Sequence, residues 1–127
     1  MKILDTDFLI AVLNKETSLD KIKELESEAI ATTIFNKQEI LFGIFSEEKK
    51  EDYDSTKQLL DSLPTVGYDD ESMMYAVKSS VYLRKRGSPI GVIDEMIAGI
   101  CLRHSVPIVT RNTRHFARIP GLKVESW

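Results

Sequence analysis

Residues 3–13 read ILDTDFLIAVL, an apolar run that breaks on two aspartates, Asp5 and Asp7, with only Thr6 between them. The residues before the break, Lys2 to Asp5, have the length and apolar character of a short strand. Those after it, Thr6 to Asn14, read as a helix with Asp7 in its first turn. A carboxylate that ends a buried strand is costly unless it meets solvent, a helix terminus or a cation.

Working outward, the chain repeats this strand-then-helix pattern. Helical spacing of Leu19, Ile22 and Leu25 after the cap signal Thr17-Ser18 predicts a helix over 19–28, and Ala29 to Thr33 a second strand. Amphipathic patterns predict helices over 34–45 and 51–63, the latter closed by Pro64, with a third strand over 66–68. A long helix over 69–86 ends before Gly87, a residue suited to the position after a C-cap. Residues 91–104 form a strongly apolar helix, with Val92, Met96, Ile97, Ile100, Cys101 and Leu102 around it, expected to be buried. Pro107 to Thr110 is a strand, Asn112 to Phe116 a turn or short helix, and Leu122 to Glu125 a last strand. Strands alternating with helices imply an α/β fold whose central parallel sheet is covered on both faces. In such sheets ligands collect at the carboxyl ends of the strands, which is where Asp5 falls.

With 127 residues, 43% of them apolar, the chain is expected to form a single domain over 1–127. Its one cysteine, Cys101, excludes an internal disulfide and a multi-thiolate zinc site, so a reducing cytoplasmic setting is the default. No signal peptide or membrane-spanning run is visible. The net charge of −3 hides an asymmetry: residues 1–83 carry 17 acidic and 9 basic side chains, residues 84–127 only 3 acidic and 8 basic. All six arginines, including Arg84, Arg86, Arg111 and Arg114, lie in the second segment, and arginine's planar fork suits phosphate.

Three further places carry chemistry. Glu39 has Phe35, Phe42 and Gly43 at helical spacing, an apolar stripe that shields a carboxylate from water and disfavours its charged form unless a cation is near. Asp94, in GVIDEMIAG, opens the apolar helix, where an aspartate also serves as a cap or first-turn residue. Glu95 points about 100° away around the helix and is secondary. The stretch VTRNTRHF supplies Asn112 as a neutral oxygen and His115 as a ligand or proton-transfer group. It also offers Arg111 and Arg114 as phosphate contacts. Phe8, Phe42 and Phe45 are expected in the core. Two carboxylates about 4 Å apart repel by about 4 kcal/mol at an effective dielectric of 20. Converging acids would therefore need protons or a cation, and an oxygen-rich set suits Mg²⁺ or Mn²⁺.

These residues, taken in order, resemble the PIN-domain ribonucleases, and within them the VapC-type toxins of toxin–antitoxin pairs. The likeness rests on ILDTDFLI, on TTIFNKQEILFGI with its E-x-x-x-G, on G-x-x-D before the apolar helix, and on V-T-x-N-T-x-x-F. It implies a three-layer α/β/α PIN-like domain and Mg²⁺- or Mn²⁺-dependent endonuclease cleavage of RNA of the tRNA or rRNA class. By the same resemblance Asp5, Glu39 and Asp94 are the catalytic, metal-binding carboxylates, with Thr6 and Asp7 ordering the site. The family's fourth acidic position is occupied here by Asn112 or His115, a departure that leaves three strong acids. The resemblance further implies a homodimer and a cognate VapB-type antitoxin lying across the acidic groove. RNA would be held by Arg84, Arg86, Arg111 and Arg114.

The missing acid motivates a second reading, a catalytically weak PIN-like domain that binds RNA or protein. A receiver-like phospho-acceptor domain is a third, but the only adjacent aspartates, Asp69 and Asp70, lie mid-chain instead of after the first strand.

Overall fold

The central strands are buried on both faces, so each needs helices on either side of it. The computed structural model describes residues 1–127, apart from the side chain of Leu19, which lies outside the described residues together with its place in the predicted 19–28 stripe. The strands are β1 (Lys2–Leu4), β2 (Ile30–Thr33), β3 (Thr65–Val66), β4 (Ile108–Val109) and β5 (Val124–Glu125). They form one parallel sheet in the order β3-β2-β1-β4-β5. The helices are α1 (Thr6–Leu13), α2 (Leu19–Glu26), α3 (Ile34–Ser46), α4 (Tyr53–Ser62), α5 (Asp70–Lys85), α6 (Val92–His104) and α7 (Thr113–Phe116).

Alternation along the strands divides the core in two. Ile3, Ala31 and Ile108 face a cluster with Leu83, Ile97, Ala98, Cys101 and Phe116, from α5, α6 and α7. Their neighbours Leu4 and Val109 face the opposite cluster, with Phe8, Leu9, Leu25, Ile40 and Leu60 from α1 to α4. This is the three-layer α/β/α architecture expected of the sequence. Because the chain runs outward from β1 to β3 and then returns to β4 on β1's other side, the direction of winding reverses between β1 and β4. Ligands bind at such a reversal, beyond the strands' carboxyl ends.

Local chemistry sets the helix ends that matter there. The Asp5 carboxylate caps α1 by accepting from the Thr6 N–H, and Thr33 with Asn36 forms a reciprocal capping box at the start of α3. Asp69 caps α5 by accepting from the Ser72 N–H, which gives that residue a structural task far from any phospho-acceptor position. At the end of α5 the Gly87 and Ser88 N–H groups reach back to the Arg84 and Leu83 carbonyls, with Gly87 at φ +67°. That is the αL turn its glycine predicted.

Several expectations need correction. The last strand starts at Val124, not Leu122, and the third at Thr65, not Val66. In α6 Val92 is 60% exposed because it opens the helix, whose buried residues begin only at Glu95. Glu95, treated as secondary, is buried at 5% exposure. Phe8 is core, but Phe42 and Phe45 are 72% and 65% exposed, because Ile40 and Ile44 take the inward face of α3.

The α5–α6 pair depends on Gly99, where an added Cβ would lie 2.9 Å from the Ala76 Cβ and collide with the Ser72 carbonyl. Gly99→Ala is expected to destabilise the protein by about 2–3 kcal/mol through overpacking, read as a lowered midpoint in urea. An unchanged midpoint would show that the two helices part without cost.

Candidate active site

Four chain segments meet at the winding reversal. Asp5, 7% exposed, follows β1. One of its oxygens accepts from the Thr6 N–H at 2.9 Å and from the Asn36 amide at 2.9 Å. The other accepts from the Thr110 hydroxyl at 2.7 Å, across 105 residues of sequence. All three donors are neutral, and no basic side chain pairs with Asp5 among the described residues. Burial raises its pKa, the Thr110 hydroxyl and Thr6 N–H oppose that rise, and the charges of Asp7 and Asp94 add to it.

Asn36, fully buried on α3, is held in one orientation. Its Oδ1 accepts from the Thr33 hydroxyl at 2.6 Å, so its amide nitrogen turns to Asp5 and to the Thr6 hydroxyl at 3.0 Å. Flipping the amide would aim an oxygen at a carboxylate. Asp7, in the first turn of α1, has both oxygens engaged: one accepts from the Arg111 N–H at 3.0 Å and faces the Thr110 hydroxyl at 3.1 Å, the other accepts from the Trp127 indole at 3.3 Å.

Asp94 stands in the first turn of α6, where Gly91 at φ +105° leads the chain into the helix. Its carboxylate faces the Asn112 amide and His115 Nδ1, each at 3.4 Å. Asn112 and His115 Nδ1 are 3.1 Å apart, so that ring nitrogen serves Asn112 or Asp94 but not both at once. Burial raises the pKa of Asp94 and His115 counteracts it. Glu39, on the exposed side of α3, has its pKa raised by partial desolvation and then by the charges of Asp5 and Asp94.

The structure therefore brings Asp5, Asp7, Asp94 and Glu39 into one electrostatic field, with Thr6, Asn112 and His115 at its margin. No group of three His, Cys, Asp or Glu side chains among the described residues closes around a single point as a metal cage would. Mg²⁺ does not require such a cage, since it keeps several waters and takes one or two carboxylates plus substrate phosphate. A buried carboxylate with neutral donors and acidic neighbours fits that kind of open site. Arg111 and Arg114 flank the site on the β4–α7 segment, whereas Arg84 and Arg86 lie at the end of α5, where Arg84 bonds the Ser80 hydroxyl and Arg86 covers the Tyr82 ring.

Sequence reading missed Thr110, Asn36 and Trp127. A T-x-x-N capping pattern directly after a strand signals Asn36; nothing local signals that Thr110 would touch Asp5.

A family model described as the PIN domain matches residues 2–122. The chain belongs to the PIN-domain family. This PIN domain is 26% identical over 127 residues to the tRNA(fMet)-specific endonuclease VapC of Salmonella typhimurium, covering 98% of this chain and 96% of that protein. It is 30% identical over 126 residues to ribonuclease VapC1 of Methanocaldococcus jannaschii, covering 96% of this chain and 85% of the relative. It superposes on the Rickettsia felis VapBC2 structure, a complex bound to a promoter DNA fragment, with a TM-score of 0.89 and 25% identity over 99% of this chain and 98% of that one. The resemblance read from the motifs is borne out, and so is the fold it implied.

Proposed function

We propose that this PIN domain is the ribonuclease toxin of a toxin–antitoxin pair, an endonuclease that hydrolyses tRNA or rRNA in the cytoplasm and acts as one domain over residues 1–127. The observation that carries the reading is Asp5: a buried carboxylate satisfied only by neutral donors, set at the winding reversal among acidic neighbours, in a chain whose relatives are ribonucleases by name. Asp5 and Asp94 would hold Mg²⁺ or Mn²⁺, with Glu39 completing the set. A bound divalent ion polarises the scissile phosphate and lowers the pKa of a water. Glu39 would orient that water or complete the metal shell. Asn36 and Thr110 keep Asp5 aimed into the site, and Thr6 supports Asn36. Hydrolysis of this type leaves a 5′-phosphate and a 3′-hydroxyl.

Partner binding has support on the surface. Exposed Phe42 and Ile93 line a hollow beside Glu39 with Phe35 and Gln38, an apolar bed next to an acidic site that suits a VapB-type antitoxin segment. Met73, Val77 and Val81 form an exposed stripe on α5 for a second copy of the chain. Among the described residues no helix is long and apolar enough to cross a membrane.

Labelled tRNA and rRNA incubated with the purified protein test the reading. Cleavage with Mg²⁺ or Mn²⁺ should cease in excess EDTA, return on adding Mn²⁺, and yield 5′-phosphate ends. Binding of RNA with no metal-dependent cleavage would favour the catalytically weak domain instead.

A further inference from the structure

We infer that Trp127 is a positioning residue whose ring, itself tied to Asp7, holds the Arg111 guanidinium as a contact for an RNA phosphate flanking the scissile bond. The inference rests on the ribonuclease reading above. Arg111 directly follows Thr110, the residue bonded to Asp5, so it lies at the mouth of the acidic site. Its guanidinium carbon is 3.7 Å from the centroid of the Trp127 ring. Asp7 fixes the backbone of Arg111 and the ring of Trp127 relative to each other, one oxygen accepting from the Arg111 main-chain N–H at 3.0 Å and the other from the indole N–H at 3.3 Å. The indole is fixed in turn by Phe8, whose ring meets it edge-on at 5.2 Å and 78° and is itself 2% exposed.

An unrestrained arginine loses much rotamer freedom on binding, and stacking on a fixed ring removes part of that loss beforehand. Arg111 is exposed, and no carboxylate pairs with its guanidinium among the described residues, so its donors face outward. The position answers an electrostatic problem. A cluster of four acids repels a polyanion, and an anchored cation at its rim sets the strand in register against that repulsion. Arg114, also near the site, has no comparable ring beneath it among the described residues.

Trp127 is the chain's only tryptophan, so its emission reports on this pair alone. A fluorescein-labelled tRNA pool is titrated with the full chain in excess EDTA, following anisotropy and indole emission across a salt series. Expected are indole emission that changes on binding, and affinity about five- to tenfold weaker in Arg111→Ala and in Trp127→Ala, with the logarithmic salt slope reduced by about 1 in Arg111→Ala. The double variant should be no weaker than either single one, and Trp127→Phe should stay within about twofold of wild type, because a phenyl ring retains the stacking. Additive losses, a Trp127→Ala protein that binds like wild type, or a salt slope unchanged by Arg111→Ala would overturn the inference. Those results combined with intact metal-dependent cleavage by the wild type leave the ribonuclease reading standing. A wild type that neither binds nor cleaves the RNA ends both.

Discussion

Asp5→Asn is expected to lower RNA cleavage by about a thousandfold or more while making the protein more stable at neutral pH. The two effects share one cause. The carboxylate sits at 7% exposure with neutral donors and like-charged neighbours, so its ionised form is disfavoured by the fold and useful only to a cation. An amide fits the same place. Its oxygen accepts from the Thr6 N–H and the Asn36 amide, and its NH₂ donates to the Thr110 hydroxyl, which can turn its own proton to Asp7 at 3.1 Å. The pH dependence follows from the direction of the shift. Because Asp5 holds its proton more tightly in the folded state than its ordinary value of 3.8 allows, its contribution is fully present below that value and lost as pH rises through the folded one. Melting curves of both proteins in EDTA should therefore diverge with rising pH above about 4, the variant gaining on wild type. A gap independent of pH, or a variant that falls behind as pH rises, would mean that Asp5 is compensated in a way its bonding does not reveal. Substantial cleavage by the variant would remove Asp5 from the chemistry.

Asn36→Asp is expected to do the opposite to stability. Asn36 is fully buried, and its amide nitrogen is 2.9 Å from the Asp5 carboxylate. A second carboxyl there sets two acceptors in contact, and two such groups cannot both ionise. At neutral pH the cost is about 3–5 kcal/mol, equivalent to a melting temperature lower by about 10–15 °C for a chain of this size. The loss should shrink in acid, where one proton shared between the two groups restores the missing hydrogen bond. Asn36→Leu serves as the control, since it also breaks the contact but adds no charge, and its loss should not depend on pH in that way. Equal melting temperatures for Asn36→Asp and wild type at neutral pH would show that the Asn36–Asp5 bond does not exist in solution. Cleavage should fall in both variants, because Asp5 loses the donor that holds its orientation.

Much of this protein was readable before any coordinates. Alternating apolar strands and amphipathic helices specified a parallel sheet between two helical layers, because a segment's periodicity already records which of its faces must be covered. Ser18 and Gly87 marked helix ends by chemistry that acts within a few residues, and motif order alone carried the family. Tertiary structure decided the rest. Asp5 and Thr110 share a hydrogen bond because β4 lies beside β1, a pairing that depends on strand order and parallel register and leaves no trace near either residue. Phe42 and Phe45 look like core residues in the sequence, yet they are outside because Ile40 and Ile44 had already filled the inward face of the same helix. Trp127 joins the site only because β5 delivers it to Arg111 and Asp7. Short-range bonding is written in neighbouring residues, whereas the meeting of distant charges is settled only when the sheet closes its order.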